Sequence, residues 1–376
     1  MQLIDRYIIG RLLTNFIILF LLLFVFAASI DLILNLDRFV EAARTAVDEG
    51  GSAWAASLAF VRIIVDFQGP RVFQFYAFLH GLVAIGATGF TLAQMYRHRE
   101  LVAILASGVS MHRIAMPFIA LIFALSLVEL LNQEYVLPRV APLLLRDHGH
   151  IGRRTVQEFK VRFTRDAAGN LLQSPSFDPE TGALRWPTFL QRDDRGRTVR
   201  RVTAASAAWD PHREGWRLTE GVVVRLQEEN AARPDVLGAP QETTDFFRTD
   251  LSPEVLTVRH HATYAQMLSL KQIGRMLRTA GVMDEATLLR HKYSRFSTVL
   301  VNVLVLVVAL PSFLLREPAN LLLQSLRCAA IAITAMIGAA IFMMVQLPGI
   351  APAVGVFLPV IVLLPIALGR VTYVRT

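Results

Sequence analysis

The sequence predicts a membrane α-helical protein with six transmembrane helices and an all-β jelly-roll domain inserted between the third and fourth helices. The first reason is composition: 54% of the 376 residues are hydrophobic and only 18% are charged, which is too apolar for a soluble domain. The second is a series of uncharged runs near the roughly 20 residues that a helix needs to cross a bilayer. The third is a polar middle segment in which β-forming residues alternate with turn signals.

The predicted spans are runs without charged residues, three before the polar middle and three after it. They lie at 12–30, 72–95, 114–128, 297–315 and 328–368, and the last is long enough for two spans with a turn at 347–349. A signal peptide is the alternative interpretation of the first run. Its apolar core exceeds the usual ~7–15 residues and no small-residue cleavage site follows cleanly, so we expect a retained span.

Basic residues in short loops set the orientation of a membrane protein. The loop at 31–49 has two arginines against five acidic residues. The segments on the other side contain three acidic residues, Asp5, Glu100 and Glu317. Their basic residues are Arg6, Arg11, Arg97, Arg99, Arg113, Arg316, Arg327, Arg370 and Arg375. Both termini are therefore predicted to be cytoplasmic, and the polar middle faces outward.

The outward segment is predicted to form the β-domain. Stretches such as "VQEFKVRF" and "GVVVRLQ" are separated by "DAAGN", "DPETG" and "DPHREG", and this spacing favours an antiparallel sandwich or jelly roll. Trp209 and Trp216 lie on one predicted hairpin, where core packing is favoured over stacking on a ligand. We expect three parts: residues 1–139, residues 140–262, and residues 263–376, which begin with helices along the membrane surface.

Signatures of catalysis are missing from the sequence. It contains no G-x-x-x-x-G-K-[ST], H-E-x-x-H or G-x-S-x-G motif. His148, His150 and the pair His260–His261 lack the further ligands that a zinc site requires. Ser29 and His80 are the one pair that suggests an intramembrane hydrolase, and nothing in the sequence places them together. We expect no enzyme activity, no metal site and no cofactor.

The stretch "RELVAILASGVSMHR" is a short charged interruption between two apolar runs. Leu101, Ile104, Leu105 and Val109 fall on one face at helical spacing. Ser107–Gly108 is expected to end this helix, and Ser110 to cap the next span. Glu100 lies near the helix N-terminus, where the helix dipole favours a negative charge. One interpretation is a simple cytoplasmic turn. The other is a coupling helix near 97–109 whose apolar face enters a groove on a soluble ATPase, where Glu100 meets a basic residue.

Four stretches carry a resemblance to a known family. "RHRELVAILASGVSMHRI" is similar to the "xSELxALRAAGxSxxRI" segment of the lipopolysaccharide-export permeases, the LptF/LptG (YjgP/YjgQ) family. "LIDRYIIGRLL" resembles that family's opening, closer to the G-type than to the F-type. "NQEYVLPRVAP" resembles the exit from the third span, and "RTDLSPEVL" the segment after the β-domain. The three-plus-three layout is also similar, so the resemblance covers nearly the whole chain.

The resemblance implies a role in outer-membrane biogenesis. In this family, two permeases pair with a cytoplasmic ABC ATPase dimer in the bacterial inner membrane. They extract lipopolysaccharide and pass it through their β-domains to a periplasmic jelly-roll bridge protein. It implies a second related permease subunit as a partner and no nucleic acid. The implied ATPase contact consists of Glu100, Leu101, Ile104, Leu105 and Gly108.

The sequence departs from the family at the outer end of the first span. The family usually has basic residues there that meet lipid phosphates, whereas "SIDLILNLDRF" provides Asp31, Asp37 and only Arg38. Arg38 and three further arginines are the candidate lipid-binding residues: Arg62, Arg71 and Arg139. For each, a solvated or snorkelling side chain is the alternative.

Two other functions remain open on the sequence alone. The chain is a candidate for an ATPase-coupled mechanotransmission or scaffold protein that does not itself move lipid. An intramembrane enzyme is the second alternative.

Overall fold

The chain divides into two compact units. The computed structural model describes residues 3–45, 53–144, 158–179, 181–193, 195–225, 241–260, 266–278, 285–313, 321–345 and 349–373. One unit comprises Met1–Pro138 and Leu289–Thr376, and the other comprises Arg139–Leu288.

Helices build the first unit. Before the β-domain the chain forms α1 (Leu3–Leu34), α2 (Leu36–Thr45), α3 (Ala53–Arg97), α4 (Glu100–Ala106), α5 (Met111–Leu131), a π-helical turn (Asn132–Val136) and α6 (Leu137–Leu144), which continues into the second unit. After it the chain forms α9 (Glu285–Phe313), α10 (Leu321–Met344) and α11 (Pro352–Tyr373).

Five helices in the described part of the chain are long and apolar enough to cross a membrane. They correspond to α1, α3, the continuous stretch Met111–Leu144, α9 and α11. The predicted fifth span coincides with α10, in which Ala330–Met343 forms a shorter apolar stretch. The apolar runs of the sequence therefore locate the membrane helices. A helix in lipid satisfies its own backbone hydrogen bonds, and apolar side chains need no polar partner there.

α3 is longer than the sequence suggests. The "GPR" at 69–71 reads as a break before the second span, yet the helix runs for 45 residues with Pro70 inside it. A proline disfavours a helical conformation of the preceding residue because its ring clashes with that residue's backbone N–H and Cβ. Gly69 has no Cβ, so the helix continues at the cost of one backbone hydrogen bond.

One antiparallel sheet of ten strands forms the centre of the second unit. The strands are β1 (Phe159–Arg165), β2 (Leu171–Asp178), β3 (Ala183–Arg185), β4 (Thr188–Arg192), β5 (Thr198–Thr203), β6 (Ser206–Asp210), β7 (Gly215–Thr219), β8 (Val222–Arg225), β9 (Gln241–Thr243) and β10 (Phe246–Arg248). Their order is β10-β7-β6-β3-β2-β4-β5-β8-β9, and β1 pairs with β2. The predicted membrane-helical fold with an inserted antiparallel β-domain is confirmed.

The predicted hairpin with two tryptophans is also confirmed. Trp209 on β6 pairs directly with Trp216 on β7. Trp216 is fully buried, and its indole N–H donates to the Leu251 carbonyl oxygen at 3.0 Å. Trp216 is therefore a core residue, as the composition of sheet cores favours.

Two helices complete the core of the second unit: α7 (Pro253–His260) and α8 (Leu270–Arg278). Val255 and Leu256 of α7, and Ile273 and Met276 of α8, pack in the same apolar cluster as the strands. The apolar stripe of α8 thus faces a protein core, although the sequence assigns it to the membrane surface. His148, His150, His261 and most of the turn at 347–349 lie outside the described residues.

Candidate functional site

The segment 97–110, hereafter the elbow, joins α3 to α5. Its helix α4 begins at Glu100, directly after Arg99, which has a left-handed backbone with φ 58°. It ends at Ala106 and is capped by Ser107; Gly108 follows with φ 84°, and its N–H donates to the Leu105 carbonyl oxygen at 3.0 Å. Ser110 caps α5 by accepting from the Arg113 N–H. The predicted short helix, its end and the serine cap are therefore confirmed.

The apolar face of α4 packs against the protein's own membrane helices. Leu101 is 0% exposed and lies in a cluster with Leu12 of α1, Leu92 of α3 and Phe118 of α5. Ile104, Leu105 and Val109 pack against the same cluster. Leu101 thus has no surface exposed for a partner in this chain, while the predicted ATPase contact as a whole stays a prediction.

The exposed face of the elbow consists of small and apolar side chains. Val102 is 55% exposed, and Ala103, Ala106, Ser107 and Gly108 are also exposed. Of the five residues in the predicted ATPase contact, Gly108 is therefore fully on the surface. Leu101, Ile104 and Leu105 instead attach α4 to the spans.

Glu100 is held by α1. Its Oε2 lies 2.5 Å from Arg11 Nη1 and accepts the Tyr7 hydroxyl at 2.9 Å. Arg11 also donates from Nη1 to the Tyr7 oxygen at 2.6 Å and from Nε to Gln94 Oε1 on α3 at 3.3 Å. The sequence analysis placed Glu100 correctly in the helix, but it missed Arg11, which is 89 residues away in the chain.

The environment of Glu100 favours its charged form. Burial raises the energy of the carboxylate, but the hydrogen bonds from Arg11 and Tyr7 outweigh that effect and lower the pKa of Glu100 below the ordinary glutamate value. Glu100 is therefore ionised at neutral pH, and its contact with Arg11 is a charge-assisted hydrogen bond.

Further polar contacts attach α1 to its neighbours at this end. Arg113 Nη2 lies 2.8 Å from Asp5 Oδ2, which joins α5 to α1. The Asn15 amide donates to Thr91 Oγ1 on α3 at 2.8 Å, where both residues are buried. The end of α1 beside the elbow is thus fixed by ion pairs and hydrogen bonds as well as by packing.

At the other end of α1, one of the four candidate lipid-binding arginines is already paired. Arg71 Nη1 lies 2.9 Å from Asp31 Oδ2, and the guanidinium stacks over the Phe67 ring at 4.1 Å. Gln68 donates to the same Asp31 oxygen at 2.7 Å. Asp31 therefore neutralises one of the four arginines predicted to bind lipid. The other three candidates, Arg38, Arg62 and Arg139, are exposed.

A buried polar cluster lies between α3, α5 and α9. Asn302 donates its amide to His80 Nε2 at 2.9 Å and to Ser126 Oγ at 3.4 Å. His80 Nδ1 faces the Tyr76 carbonyl oxygen at 3.2 Å, so the proton belongs on Nδ1. Ser29, the other half of the suggested catalytic pair, donates to the Val25 carbonyl oxygen. These contacts are typical of structural hydrogen bonding between membrane helices.

A second buried group lies where α5 passes into the π-helical turn. Asn132 donates to Glu129 Oε2 at 3.1 Å and to the Phe73 carbonyl oxygen at 3.0 Å. Nearby, Arg295 of α9 is almost completely buried and lies 3.3 Å from Glu134 Oε2. The sequence signal of this group is the polar stretch "ELLNQE" at 129–134 directly after an apolar run, and ionisable residues at such positions in a membrane protein are rarely accidental.

Residues 81–373 match the family described as lipopolysaccharide export system permease LptF/LptG. The match covers the elbow, the β-domain and the last three membrane helices, and it starts after α1. No curated protein matches the chain. The family description includes both types, so the assignment to the G-type stays a prediction. The chain belongs to the LptF/LptG family of lipopolysaccharide export permeases.

Proposed function

We propose that the chain is the transmembrane permease subunit of an ABC-type lipopolysaccharide exporter in the bacterial inner membrane. It extracts the lipid from that membrane and passes it to a periplasmic bridge protein. ATP hydrolysis takes place in a separate, cytoplasmic dimeric ATPase. Family membership supports export of lipopolysaccharide, and the geometry of the elbow supports the coupling to an ATPase.

The observation that carries the proposal is the construction of the elbow. A seven-residue helix is too short to be stable by itself in water. Here it is held by the buried Leu101 and by the contact between Glu100 and Arg11, while Val102, Ala103 and Ala106 face outward. A rigid apolar ridge of small side chains at the surface is suited to fit into a groove on another protein.

A second related permease is the proposed partner within the membrane. In α1, only 6% of the most apolar window is buried inside the chain, against 56% in α3. Ile18, Leu22 and Phe26 are among its exposed side chains. This surface is suited to lipid and to a neighbouring helix, and it supports a cavity that opens between two permeases.

The β-domain offers an edge for the proposed bridge protein. Among the described strands, β1 pairs with β2 alone, and with seven residues it is longer than β9 and β10 at the ends of the sheet order. An unpaired strand edge presents backbone donors and acceptors to which another strand can add. We therefore propose the bridge contact on the outer edge of β1, apart from its end at Arg165, whose carbonyl oxygen already accepts from Arg259 of α7.

The test enlarges the exposed face of α4 without touching its buried face. We expect Ala103→Trp to reduce the ATPase that copurifies with the permease by about tenfold, because the indole obstructs the docking surface. The measurement is quantitative copurification from membranes, together with the yield of inserted permease.

Ala55→Trp is the matched control, because Ala55 is also exposed but lies at the other end of α3. It should leave the ATPase bound. Normal ATPase binding by Ala103→Trp would remove the elbow as the docking site, and with it the main support for the proposed function.

A further inference from the structure

We propose that Glu129 carries a proton and forms, together with Asn132, a proton-binding site inside the membrane helices. The site lies where α5 passes into the π-helical turn. The proton neutralises a carboxyl group that forms no ion pair of its own. This inference concerns the contact between α3, α5 and α9, and it does not depend on the proposed function.

Two buried oxygen atoms at this site lack a donor. Glu129 is 4% exposed and Asn132 is 6% exposed. Among the residues that the structure describes, no donor lies within hydrogen-bond distance of Glu129 Oε1 or Asn132 Oδ1. Gln133 is near the carboxyl group of Glu129, but it does not reach Oε1. Such atoms are rare, because each one has lost its hydrogen bonds to water and gained none in the protein.

The amide of Asn132 cannot supply the donor that Glu129 Oε1 lacks. Its Nδ2 already donates to Glu129 Oε2 at 3.1 Å and to the Phe73 carbonyl oxygen at 3.0 Å. An amide nitrogen has two hydrogens, so both are used. Turning the amide over would place Oδ1 against two acceptor oxygens, so its orientation is fixed. A proton on Glu129 Oε1 turns that acceptor into a donor and removes one of the two unmatched oxygens.

The balance of charge also calls for a proton. Two carboxyl groups, Glu129 and Glu134, interact with one cation, Arg295. Arg295 lies 3.3 Å from Glu134 Oε2, and its side chain is 4% exposed. On the α3 side, the neighbour of Glu129 is Tyr76, whose neutral hydroxyl donates to the Leu125 carbonyl oxygen at 2.9 Å. With every acid ionised, one negative charge would be in excess, and a buried charge of this kind is so unfavourable that the group neutralises instead. The excess falls on Glu129, because Arg295 is in contact with Glu134.

A proton fits this site better than a metal ion does. Calcium and magnesium ions take about six oxygen ligands or more. At this site, Glu129 Oε1 and Asn132 Oδ1 are the unmatched side-chain oxygens of the described residues. The described part of the chain also contains no group of three or more His, Cys, Asp or Glu residues that could hold a metal ion. One proton supplies the single positive charge that is missing.

The proton leaves Arg295 to Glu134. An ionised Glu129 would compete with Glu134 for the same guanidinium and weaken the ion pair that joins α9 to the π-helical turn. The amide of Asn132 joins the same turn to α3. The packing of α3, α5 and α9 at this point therefore depends on one proton.

Infrared spectroscopy of the purified full-length permease tests whether Glu129 is protonated. A carboxylic acid has a C=O stretching band at a higher frequency than a carboxylate. At neutral pH we expect this band to lose intensity in Glu129→Gln. Asp5→Asn is the control, because Asp5 pairs with Arg113 and its removal should leave the band unchanged. An acid band that is equal in the unaltered protein and in Glu129→Gln would overturn the proposal.

Thermal unfolding in detergent tests whether the site needs a neutral group. Glutamine has the shape of the protonated acid and no charge, so Glu129→Gln should unfold within about 2 °C of the unaltered protein. Glu134→Gln removes the carboxylate that neutralises a buried arginine, so its midpoint should fall by about 5 °C or more. A Glu129→Gln protein that fails to fold, or that melts as low as Glu134→Gln, would show that the charge of Glu129 is needed and would refute the proposal.

Replacing sodium chloride with N-methylglucamine chloride tests the competing occupant, a metal cation. The midpoint of the unaltered protein should stay the same in both salts. A midpoint that falls in the glucamine salt for the unaltered protein, but not for Glu129→Gln, would assign the site to a metal ion instead of a proton. All three measurements use the permease without an ATPase, so their failure would leave the proposed function intact.

Discussion

Gly81 lies where α3 meets the buried amide of Asn302. A Cβ at this position would lie 2.8 Å from Asn302 Cγ, which is closer than real Cβ atoms approach other heavy atoms. Asn302 cannot turn away freely, because its amide donates to His80 and to Ser126. The close approach of α3 and α9 and the polar contact between them therefore depend on the same glycine.

We predict that Gly81→Ala destabilises the protein by about 1–3 kcal/mol, because it overpacks the helix contact and breaks hydrogen bonds of Asn302. Thermal unfolding in detergent should show a lower midpoint. Gly10→Ala is the matched control, since a Cβ at Gly10 meets nothing within 4 Å. Equal midpoints for the two variants would contradict the assignment of Asn302 to this contact.

Sequence reasoning at the scale of single residues succeeded where the signal is local. It placed Glu100 at the start of a helix, Gly108 at its end and Ser110 at the next cap, because each role follows from neighbouring residues. It did not find Arg11 as the partner of Glu100, because their contact joins positions that nothing in the local pattern connects. The same holds for His80 and Asn302, which are 222 residues apart.

At the scale of elements, helical periodicity identifies an apolar face but not what covers it. The face of α4 with Leu101 was expected to meet a partner, and within this chain it packs on the spans. The face of α8 was expected at the membrane surface, and its Ile273 and Met276 complete the core of the β-domain. In both cases, the amphipathic pattern was correct and the covering surface came from distant parts of the chain.

The edge strand β1 carries a prediction of its own. A photoreactive amino acid at Arg162 or Phe163, both exposed on β1, should crosslink to a periplasmic jelly-roll bridge protein. The reason is that strand addition brings the side chains of two neighbouring edge strands within about 5 Å of each other. Crosslinked products are identified by mass spectrometry in membranes that contain both proteins.

Trp186 provides the control for this experiment. It is 68% exposed and lies between β3 and β4, away from the β1 edge. A photoreactive residue there should give no adduct with the bridge. Adducts from Trp186 with none from β1 would place the contact elsewhere on the β-domain.

At the scale of the whole molecule, the architecture was predictable because lipid imposes a simple rule on sequence. A span has to satisfy its own backbone and carry an apolar surface, so long uncharged runs mark helices regardless of their tertiary contacts. The detail within the spans does not follow from that rule. α3 continues through Pro70 after Gly69, which has no Cβ, and α5 passes into a π-helical turn whose Asn132 donates to the Phe73 carbonyl oxygen of α3.

The two ends of α1 differ in a way that bears on lipid binding. Beside the elbow, α1 is tied by Arg11 to Glu100 and by Asp5 to Arg113. At the opposite end, Asp31 accepts from Arg71 and from Gln68. A lipid phosphate that reaches Arg71 would have to compete with this carboxylate, so we expect the acidic residue to weaken the predicted lipid contact of Arg71.

We therefore predict that Asp31→Asn increases the amount of lipopolysaccharide that copurifies with the permease by about fivefold, because Arg71 loses an ion pair worth about 1 kcal/mol and gains the phosphate. The measurement is quantitative mass spectrometry of bound lipid at low and high salt, and the gain should shrink at high salt. Asp37→Asn tests the effect of charge alone, because this substitution removes the same charge from an exposed residue of α2. A similar gain in both variants would show that net charge governs binding, and a loss in Asp31→Asn would assign Asp31 to holding Arg71 in a productive position.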